Sequence, residues 1–490
     1  MRKVPAIVRQ FARRRRIKQM TRRNRIHFIG IGGVGMSGLA SIYLNKGYKI
    51  SGSDLNGNDR TEELKSKGAR IFTGHNARNI PSDVGRVVVS TAISSDNPEL
   101  MAAHKRGLPT IHRSDLLAEL FLDSTCGIAV AGCHGKTTVS SMIATILKTA
   151  GKDPTCVVGG HVAALGGNAC AGASNLFVAE ADESDATFLK YFPQFGVITN
   201  IDNDHMDHYS SIEAIIKAFE LFASHISPEG ALFICADDPI ARNLNIPEKL
   251  RTITYGITTA ADLMADNIDL HPYGSCFDLM IGGQNYGRFN LEVPGRHNIL
   301  NALPVIGFCL EVGMALEAIQ KGFDIFHGAG RRFEIKGQFE GITVIDDYGH
   351  HPNEIKATLE AATSLGARRV VVVFQPHRYS RTLFLSQEFG RCFDNCDKLF
   401  ITDIYAASEK PIPGVTSKVI LDHMPVANRR KVKMVKNVED VKYHLLNFVE
   451  PGDVVFTIGA GSITQVGPEI LESMRVRSLS YHALPVSAVV

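Results

Sequence analysis

Short apolar runs recur along this chain, each ending in a glycine-rich or acidic turn and followed by a stretch whose apolar positions fall three and four apart. That alternation predicts strands feeding helices. Residues 26–29 run into a turn containing Gly30, Gly32, Gly33 and Gly35, and a helix is expected from there to about Gly47. A second strand over 48–53 ends in Asp54, and apolar runs at 87–89 and 110–111 continue the pattern. A second segment opens with a strand over 127–131; beyond its turn, Ile143, Ile146, Leu147 and Ala150 mark one face of a helix stopped by Gly151. Further strands are predicted at 176–179, 196–199 and 231–235, with a helix over about 211–224. Between 251 and 292 the runs become short and alternating, with Gly and Asn turns, which predicts a small antiparallel sheet.

A third segment begins near residue 335. Its strands are predicted at 341–345, 369–374, 398–402 and 453–458, and Pro352-Asn353 opens a helix. Several of these strands deliver polar or glycine residues at their C-terminal ends, where ligands sit in open parallel sheets. The expected fold class is therefore α/β, with mostly parallel sheets. A chain of 490 residues exceeds what one core supports, so several domains are expected. The boundaries read from the pattern are a basic extension over 1–24, expected to be disordered, then domains over 25–123, 124–334 and 335–475, and a tail over 476–490.

Composition adds little except at the start of the chain. Residues 1–25 hold eleven Arg and Lys and no acid, the first acidic residue being Asp54. Setting those eleven aside leaves 42 of the 53 basic residues against 50 acidic ones, a net −8. The body is thus unlike a nucleic-acid-binding core, although the basic start alone has the charge to touch polyanions. An arginine-rich, acid-free start also resembles a transit peptide, and Met20 leaves room for an extension with no part in the chemistry. No apolar run reaches membrane-spanning length. The nine cysteines are scattered without C-x-x-C spacing, which fits a reducing cytoplasm and neither a zinc site nor a disulfide framework.

Chemistry is most visible at GCHGKTT, residues 132–138. A nucleoside triphosphate needs backbone N–H groups at a helix start, a lysine near the terminal phosphates and a hydroxyl for Mg²⁺, and this turn supplies all three. Val130 stands where the pattern G-x-x-x-x-G-K-S/T has its first glycine, so the match is incomplete. The acidic run 180–185 follows the strand at 176–179, with Glu180 as an oxygen ligand for Mg²⁺. Residues 200–207, which include His205, repeat that placement after the strand at 196–199. The first glycine turn, taken alone with Asp54, reads as a weak dinucleotide fingerprint and leaves an NAD-dependent dehydrogenase open.

Eight segments in order carry a resemblance to the Mur ligases: GIGGVGMSG (30–38), GCHGKTT (132–138), EADESDATF (180–188), TNIDNDHMDHY (199–209), PGRHNILNA (294–302), GRRFE (330–334), DDYGHHP (346–352) and PHRYSRT (376–382). The resemblance implies three domains: a Rossmann-like N-terminal domain for a UDP-sugar, a central P-loop ATPase-type domain and a Rossmann-like C-terminal domain. It implies ATP-dependent amide formation through an acyl phosphate, joining L-alanine to the lactyl carboxylate of UDP-N-acetylmuramate in peptidoglycan precursor synthesis. The related ligase that attaches a whole tripeptide during wall recycling is the nearest alternative.

The same resemblance assigns residues. Gly30, Gly32, Gly33, Val34, Gly35, Asp54 and Ser90 are expected at the UDP-sugar, and Gly132, Cys133, His134, Gly135, Lys136, Thr137, Thr138, Asn298, Arg332 and Asp347 at ATP. Thr137, Glu180 and His205 are expected to hold Mg²⁺, and Tyr348, His350, His377, Arg378 and Arg381 to surround the amino acid. Lys136, Glu180, His205, His350 and Arg381 form the expected catalytic set. Two arginines three apart suit a carboxylate independently of the resemblance. Either His350 or His377 is open as acceptor of the amine proton. Cys133 and Val139 depart from the threonines usual in the family, and oligomeric state is open.

Overall fold

The structure is a computed structural model that describes residues 24–204, 209–407 and 409–482, with side chains to residue 477. Most of the basic extension and the end of the tail lie outside the described residues. The first sheet contains β1 (Arg25–Ile29), β2 (Lys49–Asp54), β3 (Arg70–Thr73), β4 (Arg86–Val89) and β5 (Thr110–His112), in the order β3-β2-β1-β4-β5. All its pairs are parallel. Strand β1 is buried on both faces, Ile26 and Phe28 packing in one cluster and Ile29 in another, and the buried His27 between them is paired with Ser51 and Glu99. The order reverses between β1 and β4, and the glycine turn sits at that switch point.

The central sheet has ten strands: β6 (Cys126–Ala131), β7 (Thr155–Val162), β8 (Gly167–Cys170), β9 (Leu176–Glu180), β10 (Phe195–Ile198), β11 (Ala231–Cys235), β12 (Thr252–Gly256), β13 (Leu263–His271), β14 (Gly274–Ile281) and β15 (Gln284–Leu291). Their order is β15-β14-β13-β12-β11-β10-β6-β9-β7-β8. The antiparallel strands expected after residue 251 are β13, β14 and β15, and they extend this same sheet: β13 pairs in parallel with β12 at Tyr255 and Gly256. Helices Lys136–Thr149, Arg296–Glu311 and Leu316–Ile325 cover one face through Ile143, Ile146, Ile299, Phe308 and Phe323.

The third sheet is β16 (Glu334–Phe339), β17 (Ile342–Asp347), β18 (Arg369–Phe374), β19 (Lys398–Ile401), β20 (Val432–Met434) and β21 (Asp453–Ile458), ordered β16-β17-β21-β18-β19-β20. Only the β16–β17 pair is antiparallel. The expected α/β class with three sheet-bearing parts is what the chain adopts.

The first and central sheets meet where helix Val34–Asn45 lies on the β7–β8 hairpin. A Cβ on Gly38 would come within 2.8 Å of Ala169, and Asn168 donates to the Val34 carbonyl at 2.9 Å, so the helix is packed to backbone distance. No helix among the described residues is long and apolar enough to cross a membrane. Below the central sheet, Phe188 is fully buried, stacked on Phe222 at 5.2 Å and edge-on to Phe219 at 5.4 Å. Phe188→Ala is expected to lower stability by about 3–5 kcal/mol, read as a lower denaturant midpoint with an unchanged slope.

Candidate active site

The phosphate loop leaves β6 at Gly132 and enters helix Lys136–Thr149 at Gly135. Both glycines are left-handed, with φ of +127° and +86°. Gly132 has no alternative, because a Cβ there would lie 2.0 Å from Thr199 Oγ1. The loop is held from the neighbouring strand end: Cys133 N–H donates to the Asn200 carbonyl (3.1 Å) and His134 N–H to Asn200 Oδ1 (2.8 Å). Thr199 Oγ1 and Asn200 Nδ2 donate back to the His134 carbonyl, at 2.6 and 3.0 Å. Val130 needs no glycine freedom, since it is an ordinary buried strand residue whose carbonyl accepts from Ala181 N–H. The Cys133 thiol is buried and spans the Asp202 backbone, donating to its carbonyl at 3.5 Å and accepting from its N–H at 3.2 Å. Burial first, and then the nearby Glu183 charge, push that thiol well above its usual range.

Lys136 donates to both oxygens of Glu183 (2.9 and 2.8 Å) and to the carbonyls of Gly132 and Cys133. Burial opposes its charge, but Glu183 and Asp182 outweigh that and keep the ammonium protonated. Glu183 was not singled out in the sequence, although it lies in the same acidic run as Glu180. Glu180 itself accepts from Gly159 N–H (2.6 Å) and Ser140 Oγ (3.1 Å). A Cβ placed on Gly159 would stand 2.6 and 2.8 Å from the two Glu180 oxygens and 2.8 Å from Thr137 Oγ1. The two side chains therefore line one oxygen-rich cradle over a bare glycine, a donor set suited to Mg²⁺. His205 lies outside the described residues.

A cavity of about 590 Å³ opens beside the loop. Its walls include His134, Gly135, Thr137 and Thr138, Asn298 and His297 from helix Arg296–Glu311, and Arg332, Asp347 and Glu354 from the third part of the chain. That volume suits a nucleotide-sized ligand. Asn298 is fixed by donating to the Pro294 carbonyl at 2.8 Å. Asp347 accepts from Phe333 and Gly349 N–H at 2.9 and 2.8 Å, while burial raises its pKa and Arg332 opposes the rise. The connector 330–334 is sharply bent, with left-handed φ at Arg331 and Phe333.

The loops expected at the amino acid converge after β17 and β18. His350 Nδ1 lies 3.1 Å from the Tyr348 carbonyl, which accepts only and so places the proton on Nδ1. His377 Nδ1 lies 3.3 Å from an Arg381 Nη, so there the ring nitrogen accepts. The two imidazoles stand 5.8 Å apart, and His377 stacks on Tyr405. Burial and the neighbouring guanidinium groups push His350 down to about 3 and His377 to about 4, so both are neutral. Arg381 is engaged across the interface with the central sheet: its Nε and Nη2 lie 3.2 and 3.1 Å from Asp204 Oδ1. Arg378 is held in a left-handed conformation, its N–H on the Tyr405 carbonyl.

His134, Asp202 and His351 are, among the described residues, the one group of such donors close enough to share an ion. Asp202 Oδ2 already accepts from Asn353 Nδ2 at 2.6 Å and meets His134 Nε2 at 3.0 Å, so hydrogen bonding accounts for the cluster. Asp202, Asp204, Asn353 and Glu354 were not chosen from sequence. The first two stand in the polar run at 200–207, and Glu354 had a visible signal as the third helical residue after His351, where it completes a capping box.

The first sheet carries the remaining assigned residues. Gly32 N–H donates to Asp54 Oδ2 at 2.8 Å, and Gly30 and Ile31 N–H to the Ser53 carbonyl, which closes the turn. Gly33 and Val34 are exposed at the helix start, and Gly35 leaves space that Arg113 fills, its Nη1 2.9 Å from where a Cβ would be. Ser90 follows β4 across the switch point. These groups lie at the C-terminal edge of a different sheet from the phosphate loop.

Three family models match in order: the Mur ligase family catalytic domain over residues 25–125, the Mur ligase middle domain over 130–309 and the Mur ligase glutamate ligase domain over 331–461. A UDP-N-acetylmuramate–L-alanine ligase of Solibacter usitatus is 47% identical over 462 residues, covering 94% of this chain and 97% of that protein. One from Geotalea daltonii is 48% identical over 452 residues, covering 92% and 98%. The crystal structure of the UDP-N-acetylmuramate-alanine ligase of Thermotoga maritima superposes with a TM-score of 0.79 at 28% identity, over 92% of this chain and 99% of that one. A murein peptide ligase of Psychrobacter arcticus shares the fold, with a TM-score of 0.69 at 23% identity over 92% and 98%. From the phosphate loop to the PHRYSRT loop, then, geometry and kinship agree, and the chain belongs to the Mur ligase family.

Proposed function

We propose that this chain joins L-alanine to the lactyl carboxylate of UDP-N-acetylmuramate, driven by ATP, as a step of peptidoglycan precursor synthesis. The observation that carries this reading is the meeting of a lysine-bearing phosphate loop with the histidine and arginine loops after β17 and β18 through Asp202 and Asp204. The names of relatives 47–48% identical over nearly the whole chain support the choice of substrates.

A carboxylate does not condense with an amine in water because its oxygen is a poor leaving group. The sugar carboxylate attacks the γ-phosphorus of ATP, the bond to the bridging oxygen breaks, and ADP leaves behind an acyl phosphate. The alanine nitrogen then adds to the acyl carbon, phosphate departs with the C–O bonding pair, and the amine loses a proton. Lys136, released from Glu183, and the loop N–H groups stabilise charge on the transferred phosphoryl group. Thr137, Glu180 and His205 would hold Mg²⁺, which when bound neutralises charge on the phosphate oxygens. The glycine turn of the first sheet with Asp54 and Ser90 takes the UDP portion, and Asn298, Arg332 and Asp347 take ATP.

At the amino acid, Arg378 and Arg381 are the carboxylate contacts, the fork of Arg381 being oriented by Asp204 and His377. Tyr348 and His377 wall the same place. His350, with its proton fixed on Nδ1, has Nε2 as its accepting nitrogen. His377 accepts from Arg381 instead.

Incubation with ATP, Mg²⁺, UDP-N-acetylmuramate and one amine at a time tests the function. Alanine-dependent phosphate release with a UDP-muramyl-alanine mass is expected; product from the tripeptide alone would assign the recycling reaction. Lys136→Ala is expected to abolish turnover, and near-normal phosphate release would refute the role of the loop. Gly159→Ala puts a methyl group into the oxygen cradle. Its expected effect is a rise of about tenfold or more in the Mg²⁺ needed for half-maximal rate, the equivalent of about 1.4 kcal/mol.

A further inference from the structure

Two carboxylates cross between the central sheet and the third one in opposite directions. Asp202, after β10, accepts from Asn353 Nδ2 at 2.6 Å and lies 3.6 Å from His351 Nδ1, both on the third part of the chain. Glu354, in helix Pro352–Ala362, lies 3.4 Å from His134 Nδ1, on the phosphate loop. The His134 ring therefore has an acid of a different domain on each nitrogen, Asp202 at 3.0 Å on Nε2 and Glu354 on Nδ1.

Glu354 also reaches the other end of the chemistry. Its second oxygen accepts from the backbone N–H of His350 and His351, at 3.0 and 3.3 Å, and its first lies 3.5 Å from Arg332. One side chain thus touches the phosphate loop, an expected ATP contact and the loop that carries the amino-acid site. The partner of Glu354 in the central part of the chain is thus a residue of the phosphate loop itself.

We propose that His134, Asp202 and Glu354 are positioning residues that clasp the third domain onto the phosphate loop, so that the alanine-binding loop is set only while the phosphate loop holds its nucleotide-cradling shape. The clasp rests on the function proposed above for its meaning in the reaction, but not for its existence. It makes ATP binding and alanine binding cooperative, and it keeps water from an acyl phosphate formed before the domains have met.

The charges agree with the geometry. Burial works against an imidazolium at His134, but its bonds to Asp202 and Glu354 raise it to about 9. The other groups facing this set are His351, with its ring 4.6 Å from that of His134, and Arg332 and His350 beside Glu354. Burial disfavours ionised Asp202 and Glu354; His134 nonetheless holds Asp202, and His134 together with Arg332 holds Glu354, well below the usual carboxylate range. A His raised in this way contributes fully below its unfolded value near pH 6.5 and ceases to contribute as pH rises through about 9.

The test uses the full chain with His134→Gln, Glu354→Gln and the double variant. Gln at 354 still accepts the two backbone N–H bonds, so the helix start is retained, which circular dichroism checks. Closure is read without any amine, as the decrease in radius of gyration by small-angle X-ray scattering on titration with a non-hydrolysable ATP analogue and Mg²⁺. Each single variant is expected to raise the analogue concentration for half-closure about tenfold, and the double variant no further than the weaker single. Wild-type half-closure is expected to weaken above pH 9, and His134→Gln to remove that dependence. Losses that multiply in the double variant, or no compaction in the wild type, would overturn the clasp. Absence of alanine product in the wild type would overturn only the function reading, because closure is measured independently of the amine.

Discussion

The active centre depends on the close approach of Gly132 to Thr199. Strands β6 and β10 are neighbours in parallel register, so their C-terminal ends present the phosphate loop and the run 199–204 side by side. With no side chain on Gly132, Thr199 and Asn200 reach the loop backbone and take up three of its polar groups. A loop fixed from outside in this way keeps its N–H groups aimed before a ligand arrives, which is what electrostatic preorganisation requires. From the same run come Asp202 and Asp204, the two acids that meet the third sheet. Nucleotide binding and domain docking are thereby built on one strand end.

Much of this was legible in the sequence because it rests on local chemistry. Strand, glycine turn and helix follow one another at both glycine motifs, and the boundaries of β11, β18 and β21 coincide with their apolar runs. Strands β3, β7, β8, β16 and β20 were not read. Each is short, lies at or near a sheet edge or carries glycine, so none shows a continuous apolar run. The antiparallel run after residue 251 was visible, but its continuation of the ten-stranded sheet depends on a two-residue parallel contact that no periodicity encodes.

The site was legible in its residue types and illegible in its partnerships. Lys136, Thr137 and Glu180 declare themselves by position, whereas the pairing of Lys136 with Glu183 spans 47 residues and that of Arg381 with Asp204 spans 177. Sequence offered Arg378 and Arg381 as equivalent forks for a carboxylate. Folding sets Arg381 against an acid from another domain. It also separates His350 from His377, since the group beside each Nδ1 decides which nitrogen carries the proton.

The thiol of Cys133 illustrates what such burial means for reactivity. Electrophiles and peroxides attack the thiolate, and here burial and a neighbouring carboxylate keep the sulfur protonated while the Asp202 backbone occupies it from both sides. A cysteine in the middle of a nucleotide-binding loop is thus chemically quiet. Covalent probes and oxidative stress find no handle in it, and the loop tolerates sulfur where a hydroxyl is customary without becoming a point of redox vulnerability.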